Sequence, residues 1–510
     1  MAVSGLSGSD DRPKIWAVSV VEGTFQKLQD DGTGAAVSPD GLHIAFIKDR
    51  SKDPRAGVGN EIWLTDANGG NAKLLASSGT RGVFHTAAGL KWSPDGRRLG
   101  YVLRPPKAPE LTLESVGLDG APAGIVSDAR LRNFAWAPGG RIYYELTDSS
   151  DSSNSSLWQV EVNERTGKLS GVPRLVTNFA GFAVRDLQIT TDGKRLALLK
   201  RSDQSDVYVA ELEGTPVHLK NPRRLTQDDR IDWPGRWSLD SKSIFFFSDR
   251  RGNLDIFEQR PQDENPQTIV GGTEDKRMPQ MSPDGAWILY IAWNKSNGES
   301  VAQTGHIMRF PVAGGPPEPV LEVKGYPGSA RAQRAGFLLT LRGHPDFHCP
   351  IIAGRSCVVS EIEANHLLFS AFDPLRGRGV ELARIDINPG VNLFWDLSPD
   401  GTRIAFGQTD ARSGTLHILQ LDGGTVSDIE VKGWANLTTV GWSADGRQLF
   451  VSKGASSGDT LLRVGLNGDA QALRKAGMWI ERPAASPNGH YLAWGEVSSN
   501  SNAWIIENFQ

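Results

Sequence analysis

Short apolar runs separated by polar turns recur along the whole chain. Ile44–Ile47, Ile142–Tyr144, Ile244–Phe247 and Leu449–Val451 are runs of three or four apolar residues, many of them β-branched or aromatic. This pattern is typical of short β-strands joined by tight turns. The sequence shows no long stretch in which apolar residues follow the period of a helix, so the pattern predicts an all-β protein.

A four-residue turn, Ser-Pro-Asp-Gly, stands before many of these runs. It occurs four times in full and five times in weaker forms, and the nine copies begin at positions 38, 93, 137, 190, 238, 282, 398, 443 and 486. In the first repeat a third strand, Glu61–Thr65, and a fourth, Ala72–Leu75, follow the turn. Four antiparallel strands that recur at this spacing predict the blades of a β-propeller.

One gap between successive turns, from Ser282 to Ser398, is much longer than the others. It is long enough for one further, degenerate repeat with an insertion, and Phe347–Cys349, Cys357–Ser360 and His366–Ser370 are its apolar pieces. The sequence therefore predicts about ten repeats. A single large ring is the favoured arrangement, and two joined smaller propellers are the alternative.

The two ends of the chain carry complementary pieces. Residues 1–11 are polar and are expected to be a flexible linker or the cut end of a longer protein, and residues 12–510 form the propeller. The propeller opens on outer-strand material at Ile15–Val18 and closes on a third strand, Trp504–Phe509, without a fourth. We expect the N-terminal strand to complete the last blade, since that closure removes free sheet edges.

Composition narrows the possible partners. The net charge is −4 and both signs are interspersed, so the sequence shows no basic patch of the kind that binds nucleic acid. No apolar run is long enough to span a membrane. The sequence has no motif for a metal, a phosphate or another cofactor. A monomer that binds a protein, a peptide or a small molecule is expected.

The two cysteines, Cys349 and Cys357, lie eight residues apart across a Gly-containing turn. If they face each other on a hairpin, a disulfide is feasible and is the favoured reading, and two free thiols are the second. His344 and His348 stand beside them, so a metal site is a third reading. The spacing of these four residues is not a standard zinc pattern.

The repeated Ser-Pro-Asp-Gly turn, together with Ser248–Gly252 and Asp255–Ile256, resembles the TolB-like, or PD40, β-propellers. The later segments Phe372–Gly379 and Asn502–Phe509 resemble propellers attached to bacterial membrane proteins whose cytoplasmic end is a serine/threonine kinase or a winged-helix regulator. The resemblance implies a sensor or protein-interaction module on the extracytoplasmic, periplasmic side of a membrane. Ten repeats are more than such propellers usually have.

Polar side chains cluster just before the first strands of several repeats. In a propeller the innermost strands surround the channel, so residues at their starts meet at one mouth. A ring of arginines with aspartate and tryptophan there suits a peptide terminus, a sugar or an anion, and it also suits ion pairs between blades. The candidate ligand-binding residues are Arg132, Arg185, Asp186, Arg230, Asp232, Arg277, Trp395 and Arg482.

Three functions remain open at this point. The leading hypothesis is a non-catalytic module that senses a ligand or docks a protein within a bacterial signalling protein. A hydrolase or lyase in the channel and a structural scaffold subunit are the alternatives. Gly454–Gly458 matches Gly-x-Ser-x-Gly, but a nucleophile elbow joins a strand to a helix, and here the motif lies between two predicted strands. We therefore predict no catalytic residues.

Overall fold

A computed structural model of the chain describes most of its residues. The described residues are 2–5, 13–19, 21–48, 58–106, 108, 110–147, 155–179, 183–214, 217–228, 230–293, 304–324, 345–387, 392–410, 412–455 and 457–507. Within them β-strands predominate, and the only helical turns are two 3₁₀ turns, Gly79–Arg81 and Thr86–Ala88. The predicted all-β class is confirmed.

The chain divides into two compact units. The first unit contains Met1–Ser202 with Asn500–Gln510, and the second contains Asp203–Ser499. Two long strands, β19 and β42, contribute residues to both.

The first unit consists of short antiparallel sheets in chain order. Their orders are β1-β2-β3, then β4-β5-β7-β8, then β13-β12-β11-β9-β6 with β10 beside β11, and then β14-β15-β16-β17. The fifth sheet pairs β18 with the first part of β19. The strands are β1 Ala2–Gly5, β2 Lys14–Val18, β3 Phe25–Gln29, β4 Thr33–Val37, β5 His43–Lys48, β6 Val58–Gly59, β7 Glu61–Asp66, β8 Lys73–Ser77, β9 Val83–His85, β10 Lys91–Trp92, β11 Arg98–Arg104, β12 Leu111–Gly117, β13 Pro122–Asp128, β14 Leu131–Ala137, β15 Arg141–Thr147, β16 Ser155–Glu161, β17 Arg174–Phe179, β18 Ala183–Ile189 and β19 Arg195–Glu213.

The second unit contains six four-stranded antiparallel sheets. Five follow chain order from β21 to β40, and the sixth combines β41 and β42 with the later part of β19 and with β20. The strands are β20 His218–Arg224, β21 Asp232–Trp237, β22 Ile244–Ser248, β23 Asp255–Gln259, β24 Gln267–Val270, β25 Asp275–Met281, β26 Trp287–Trp293, β27 Thr304–Pro311, β28 Glu318–Lys324, β29 Asp346–His348, β30 Cys357–Glu363, β31 His366–Asp373, β32 Gly377–Asp386, β33 Leu393–Leu397, β34 Arg403–Gln408, β35 Thr415–Gln420, β36 Val426–Glu430, β37 Leu437–Trp442, β38 Gln448–Lys453, β39 Thr460–Gly465, β40 Ala470–Lys475, β41 Trp479–Ala485 and β42 Tyr491–Glu507.

The apolar core of the second unit lies between neighbouring sheets. Phe394 of β33 and Leu416 of β35 pack in one buried cluster with Leu449 of β38, which belongs to the next sheet. Phe347 of β29 likewise joins Leu289 of β26 across the preceding interface. Each sheet is therefore buried on both faces, which explains why its second strands are nearly continuous apolar runs.

Two expectations about the ends of the chain are corrected. The last sheet is completed by β19 and β20 from the middle of the chain, whereas β1, β2 and β3 form a sheet of their own. Ala2–Gly5, within the expected linker, pairs with β2, and residues 6–11 lie outside the described part. The closure of the repeats, as one large ring or as two smaller propellers, stays a prediction.

The Ser-Pro-Asp-Gly turns share one hydrogen-bond pattern. At Ser398 the hydroxyl donates to Asp400 Oδ1 at 2.6 Å and accepts the Arg403 N–H at 2.9 Å, while Asp400 accepts the Thr402 N–H at 3.1 Å. Gly401 has φ +71°, which favours glycine. The aspartates therefore cap the turn through hydrogen bonds to the serine hydroxyl and the backbone. The weaker copies at Ser443 and Ser486 keep the same serine contacts.

Replacing one turn serine by alanine is expected to destabilise the protein moderately. Ser398 has no exposed surface, and S398A leaves the Arg403 N–H without this acceptor, so we expect a loss of about 1–2 kcal/mol in the free energy of unfolding. Urea unfolding of the full chain measures it. The matched control is S427A, an exposed serine of the same sheet, which should change stability by less than about 0.5 kcal/mol. Equal stabilities of S398A and S427A would contradict the capping role.

Candidate pocket at the centre of the second unit

A left-handed residue recurs in the first strand of five repeats. It lies four positions before the serine or threonine that opens the turn, and φ there is +49° to +68°. Two of the five are Gly34 and Gly89, whereas Asp186, Met278 and Arg482 are not glycine. Around Asp186, Met278 and Arg482 the strand pairing slips by a β-bulge, which redirects the side chain. Met278 and Arg482, the two in the second unit, both line its central pocket.

The first strands of all six sheets of the second unit line this pocket. It encloses about 510 Å³ including its opening to solvent. The strands approach one another so closely that a Cβ on Gly441 would come within 2.0 Å of the Pro483 carbonyl oxygen. Apolar side chains provide much of the wall, and the polar side chains in it are Arg236, Gln280, Asp346, His348, Thr439 and Arg482.

Arg236, Asp396 and His348 form one buried polar network. The Arg236 Nη2 donates to Asp396 Oδ1 and also lies 2.8 Å from His348 Nδ1. Asp396 Oδ2 accepts the Trp442 backbone N–H at 2.9 Å. Burial raises the pKa of Asp396, and Arg236 opposes this by favouring the carboxylate. The network thus joins strands of three sheets, β21, β29 and β33.

His348 is held neutral. Burial first, and then the charge of Arg236, lower its pKa well below the usual value. Its Nδ1 therefore accepts the Arg236 N–H, which leaves the ring proton on Nε2. This Nε2 is buried and has no hydrogen-bond partner among the described residues, since Asp346 Oδ2 stands 3.7 Å away. His348 thus lines the pocket as a neutral side chain, and the Trp395 backbone beside its ring opposes the fall in its pKa.

A second set of charges, Arg482, Asp346 and Arg277, is only loosely paired. The Arg482 Nη2 lies 4.0 Å from Asp346 Oδ2, and the Arg277 Nη2 lies 3.9 Å from Asp275 Oδ2. Burial raises the pKa of Asp346, while burial and the nearby Arg482 lower the pKa of Arg277. Burial likewise raises the pKa of Glu481, next to Arg482, to about 7.

A further cavity of about 590 Å³ lies on the turn side of the same strands. It shares Arg236 and Gln280 with the central pocket, so these two side chains stand between the two cavities. Gln280 donates to the Phe347 carbonyl at 2.7 Å and accepts the Cys349 N–H at 2.9 Å. It therefore ties β25 to the degenerate repeat.

Cys349 and Cys357 form a disulfide across the β29–β30 hairpin. Of the three readings left open by the sequence, the structure matches this one. No group of three or more His, Cys, Asp or Glu side chains suited to a metal ion occurs among the described residues, and His344 is outside them. The disulfide lies directly after His348, so it closes the hairpin that carries Asp346 and His348 into the pocket.

The pocket brings together part of the predicted site. Trp395 and Arg482 line the pocket. Arg277 does not line it but directly precedes Met278, which does. In the same unit Arg230 is exposed, and Asp232 pairs with Arg250 at 2.8 Å, its pKa raised by burial to about 6.

Three predicted residues belong to the first unit, so the eight do not gather around this pocket. Arg132 donates to the Ala129 and Leu131 carbonyls, and Asp186 accepts from Lys91 at 3.0 Å. Arg185 is in β18, and its side chain is not described.

Sequence reasoning missed Arg236 and Asp346, and it named His348 only as a possible metal ligand. Three polar side chains of the two cavities stand two positions before a turn serine, namely Arg236, Gln280 and Asp396. This fixed spacing could have identified them from the sequence. Asp346 and His348 lie in the degenerate repeat, where no turn motif marks the register.

The Gly-x-Ser-x-Gly segment lies between β38 and β39, with Ser456 outside the described residues. It connects two strands, as predicted, and a nucleophile elbow would instead lead into a helix. The described part of the chain also contains no helix that could cross a membrane.

Comparison with known proteins supports the class of fold. Residues 169–308 match the sequence model of the family described as TolB beta propeller domain. The predicted resemblance to TolB-like propellers is confirmed over these residues, and the described residues form many four-stranded antiparallel sheets.

Solved structures give distant similarities. A TolB of Agrobacterium tumefaciens is 18% identical over 58% of this chain and 99% of its own, with a TM-score of 0.42. The tricorn protease is 14% identical over 94% of this chain and 43% of its own (TM-score 0.27), and a puromycin hydrolase is 15% identical over 79% and 57% (TM-score 0.31). At these scores the similarities decide nothing about function.

Proposed function

We propose that this chain is a non-catalytic ligand-binding propeller whose site is the central pocket of the second unit. The observation that carries the proposal is the convergence of six first strands on one pocket that combines apolar walls with uncommitted polar groups. Small-molecule sites typically have this composition. The two arginines with long ion pairs, Arg277 and Arg482, supply hydrogen-bond donors that a ligand can complete.

The proposed biological role is a ligand sensor or protein-docking module of a bacterial signalling protein on the extracytoplasmic side. The disulfide between Cys349 and Cys357 supports this location, since disulfides persist mainly in oxidising compartments. The signalling context rests on the sequence resemblance alone.

A hydrolase or lyase is the second candidate, because His348 between Asp346 and Asp396 is a strongly perturbed group in a pocket. The hydrogen bonding argues against it. A general base needs a free nitrogen lone pair, and the Nδ1 lone pair of His348 is occupied by Arg236. Among the residues that line the pocket, Thr439 carries the only hydroxyl.

A thermal-shift screen of the full chain tests the proposal. Sugars, amino acids, short peptides, organic acids and divalent ions are the probes, and a ligand of the folded state raises Tm by mass action. Hydrogen exchange of the bound protein should then show protection in β29, β33 and β41. Mass spectrometry after prolonged incubation should recover the ligand unchanged.

Two results would contradict the proposal. If a probe is converted and the conversion is lost in H348A, the site is catalytic. If no probe class shifts Tm, or if protection lies away from the six first strands, the pocket is not the binding site.

A further inference from the structure

Arg482 occupies a left-handed backbone conformation that two other repeats fill with glycine. Its φ is +49°, and the equivalent positions in two repeats of the first unit are Gly34 and Gly89. A non-glycine side chain in this conformation is strained, and such residues concentrate at functional sites. The bulge between Glu481 and Ala484 accompanies this conformation, and Arg482 lines the pocket.

The neighbouring arginine, Arg277, is buried without adequate partners. It is 8% exposed, its nearest carboxylate oxygen lies 3.9 Å away, and its Nε has no hydrogen-bond partner among the described residues. Arg236, which lines the pocket, differs from Arg277, since it contacts both Asp396 and His348. A buried guanidinium group that lacks hydrogen bonds is costly unless a ligand completes them.

We propose that the pocket binds a carboxylate group between the guanidinium groups of Arg482 and Arg277, with an apolar substituent of the ligand against Trp395 and Phe394. This inference rests on the proposed function and specifies its ligand. The planar fork of arginine matches the two oxygens of a carboxylate.

The charge around the site favours a single negative charge. Asp346 and Glu481 accompany Arg482, so a doubly charged phosphate would meet more repulsion than a carboxylate. The carboxylate can belong to the C-terminus of a peptide or to a free organic acid. Both present the same group, and the experiment separates them.

Isothermal titration calorimetry with three probes tests the ligand class. The probes are N-acetyl-alanyl-alanyl-phenylalanine, its C-terminal amide, and 3-phenylpropanoate, with inorganic phosphate as a competing anion. We expect the acids to bind at least about tenfold more tightly than the amide and phosphate. Tighter binding of the tripeptide acid than of 3-phenylpropanoate identifies a peptide terminus, and the reverse identifies an organic acid.

Arg482→Gly separates binding from folding. Glycine removes the guanidinium group and also relieves the left-handed backbone, so Tm should stay within about 2 °C while carboxylate affinity falls at least about tenfold. The matched control is A364G, which makes the same backbone change at φ +53° in the exposed β30–β31 hairpin. A364G should bind like the unmodified protein.

A second variant covers the case in which R482G unfolds. R482K keeps the charge but loses the fork, and it should also bind carboxylates at least about tenfold more weakly. Equal affinity for acid and amide, preference for phosphate, or unchanged binding in a folded R482G or R482K would overturn the inference. If only neutral sugars bind, the carboxylate inference fails while the proposed function stands. If no probe class binds, the proposed function itself fails.

Discussion

Replacement of Arg236 by alanine is expected to lower the free energy of unfolding by about 3 kcal/mol, because it leaves Asp396 buried without its cationic partner. Asp396 is 1% exposed, and the Trp442 N–H remains its hydrogen-bond donor. Burial raises the pKa of Asp396 and Arg236 lowers it, so the pKa of the folded variant should rise further. Urea unfolding of the full chain provides the measurement.

The pH dependence of this loss has a definite sign. An acid whose pKa is raised by folding loses stability as pH increases from its unfolded to its folded pKa, so R236A should be penalised more at about pH 8 than at about pH 5. The control R447A removes an exposed arginine and should cost less than about 0.5 kcal/mol. R236M/D396N, which removes both partners, should recover most of the loss. A pH-independent loss that the double variant retains would refute this explanation.

Removal of the disulfide in C349A/C357A should destabilise the chain by about 2–3 kcal/mol, since the bond restricts a loop with a sequence separation of 8 in the unfolded chain. The hairpin has few other restraints, because β29 contains only three residues. Urea unfolding of the protein with its cysteines intact, with and without a thiol reductant, gives the same quantity independently.

The C349A/C357A variant is also the control for the reductant. These are the only two cysteines, so reductant should change the unfolding midpoint of the parent protein and leave that of C349A/C357A unchanged. A parent protein that unfolds at the same midpoint as the double variant, in oxidising buffer, would show that the bond does not contribute to stability.

The repeat turn made the fold predictable, because its contacts are local. The serine, aspartate and glycine of each copy bond within five residues, so the sequence window contains the whole interaction. The second strand of each repeat could likewise be predicted from its apolar run. The division into two units was not, since it depends on which strands pair across hundreds of residues, as β19 and β42 do.

The site was harder to predict than the fold. Trp395 and Arg482 were found because they precede a recognisable turn, but Arg230 and Asp232 lie too far from it to reach the pocket. The left-handed bulge at Met278 and Arg482 redirects the chain in a way that side-chain alternation does not reveal. His348 has no repeat signal, and its neutral state depends on burial that only the folded protein provides.

The composition of the sixth sheet of the second unit determines when this unit completes folding during synthesis. β19 and β20 leave the ribosome early, but their partners β41 and β42 begin only at Trp479 and Tyr491. At ordinary translation rates the interval lasts roughly 15–60 seconds, during which the edges of β19 and β20 await their partners. Nascent chains that stall before Trp479 should therefore be clients of chaperones, because an open edge invites pairing with other chains.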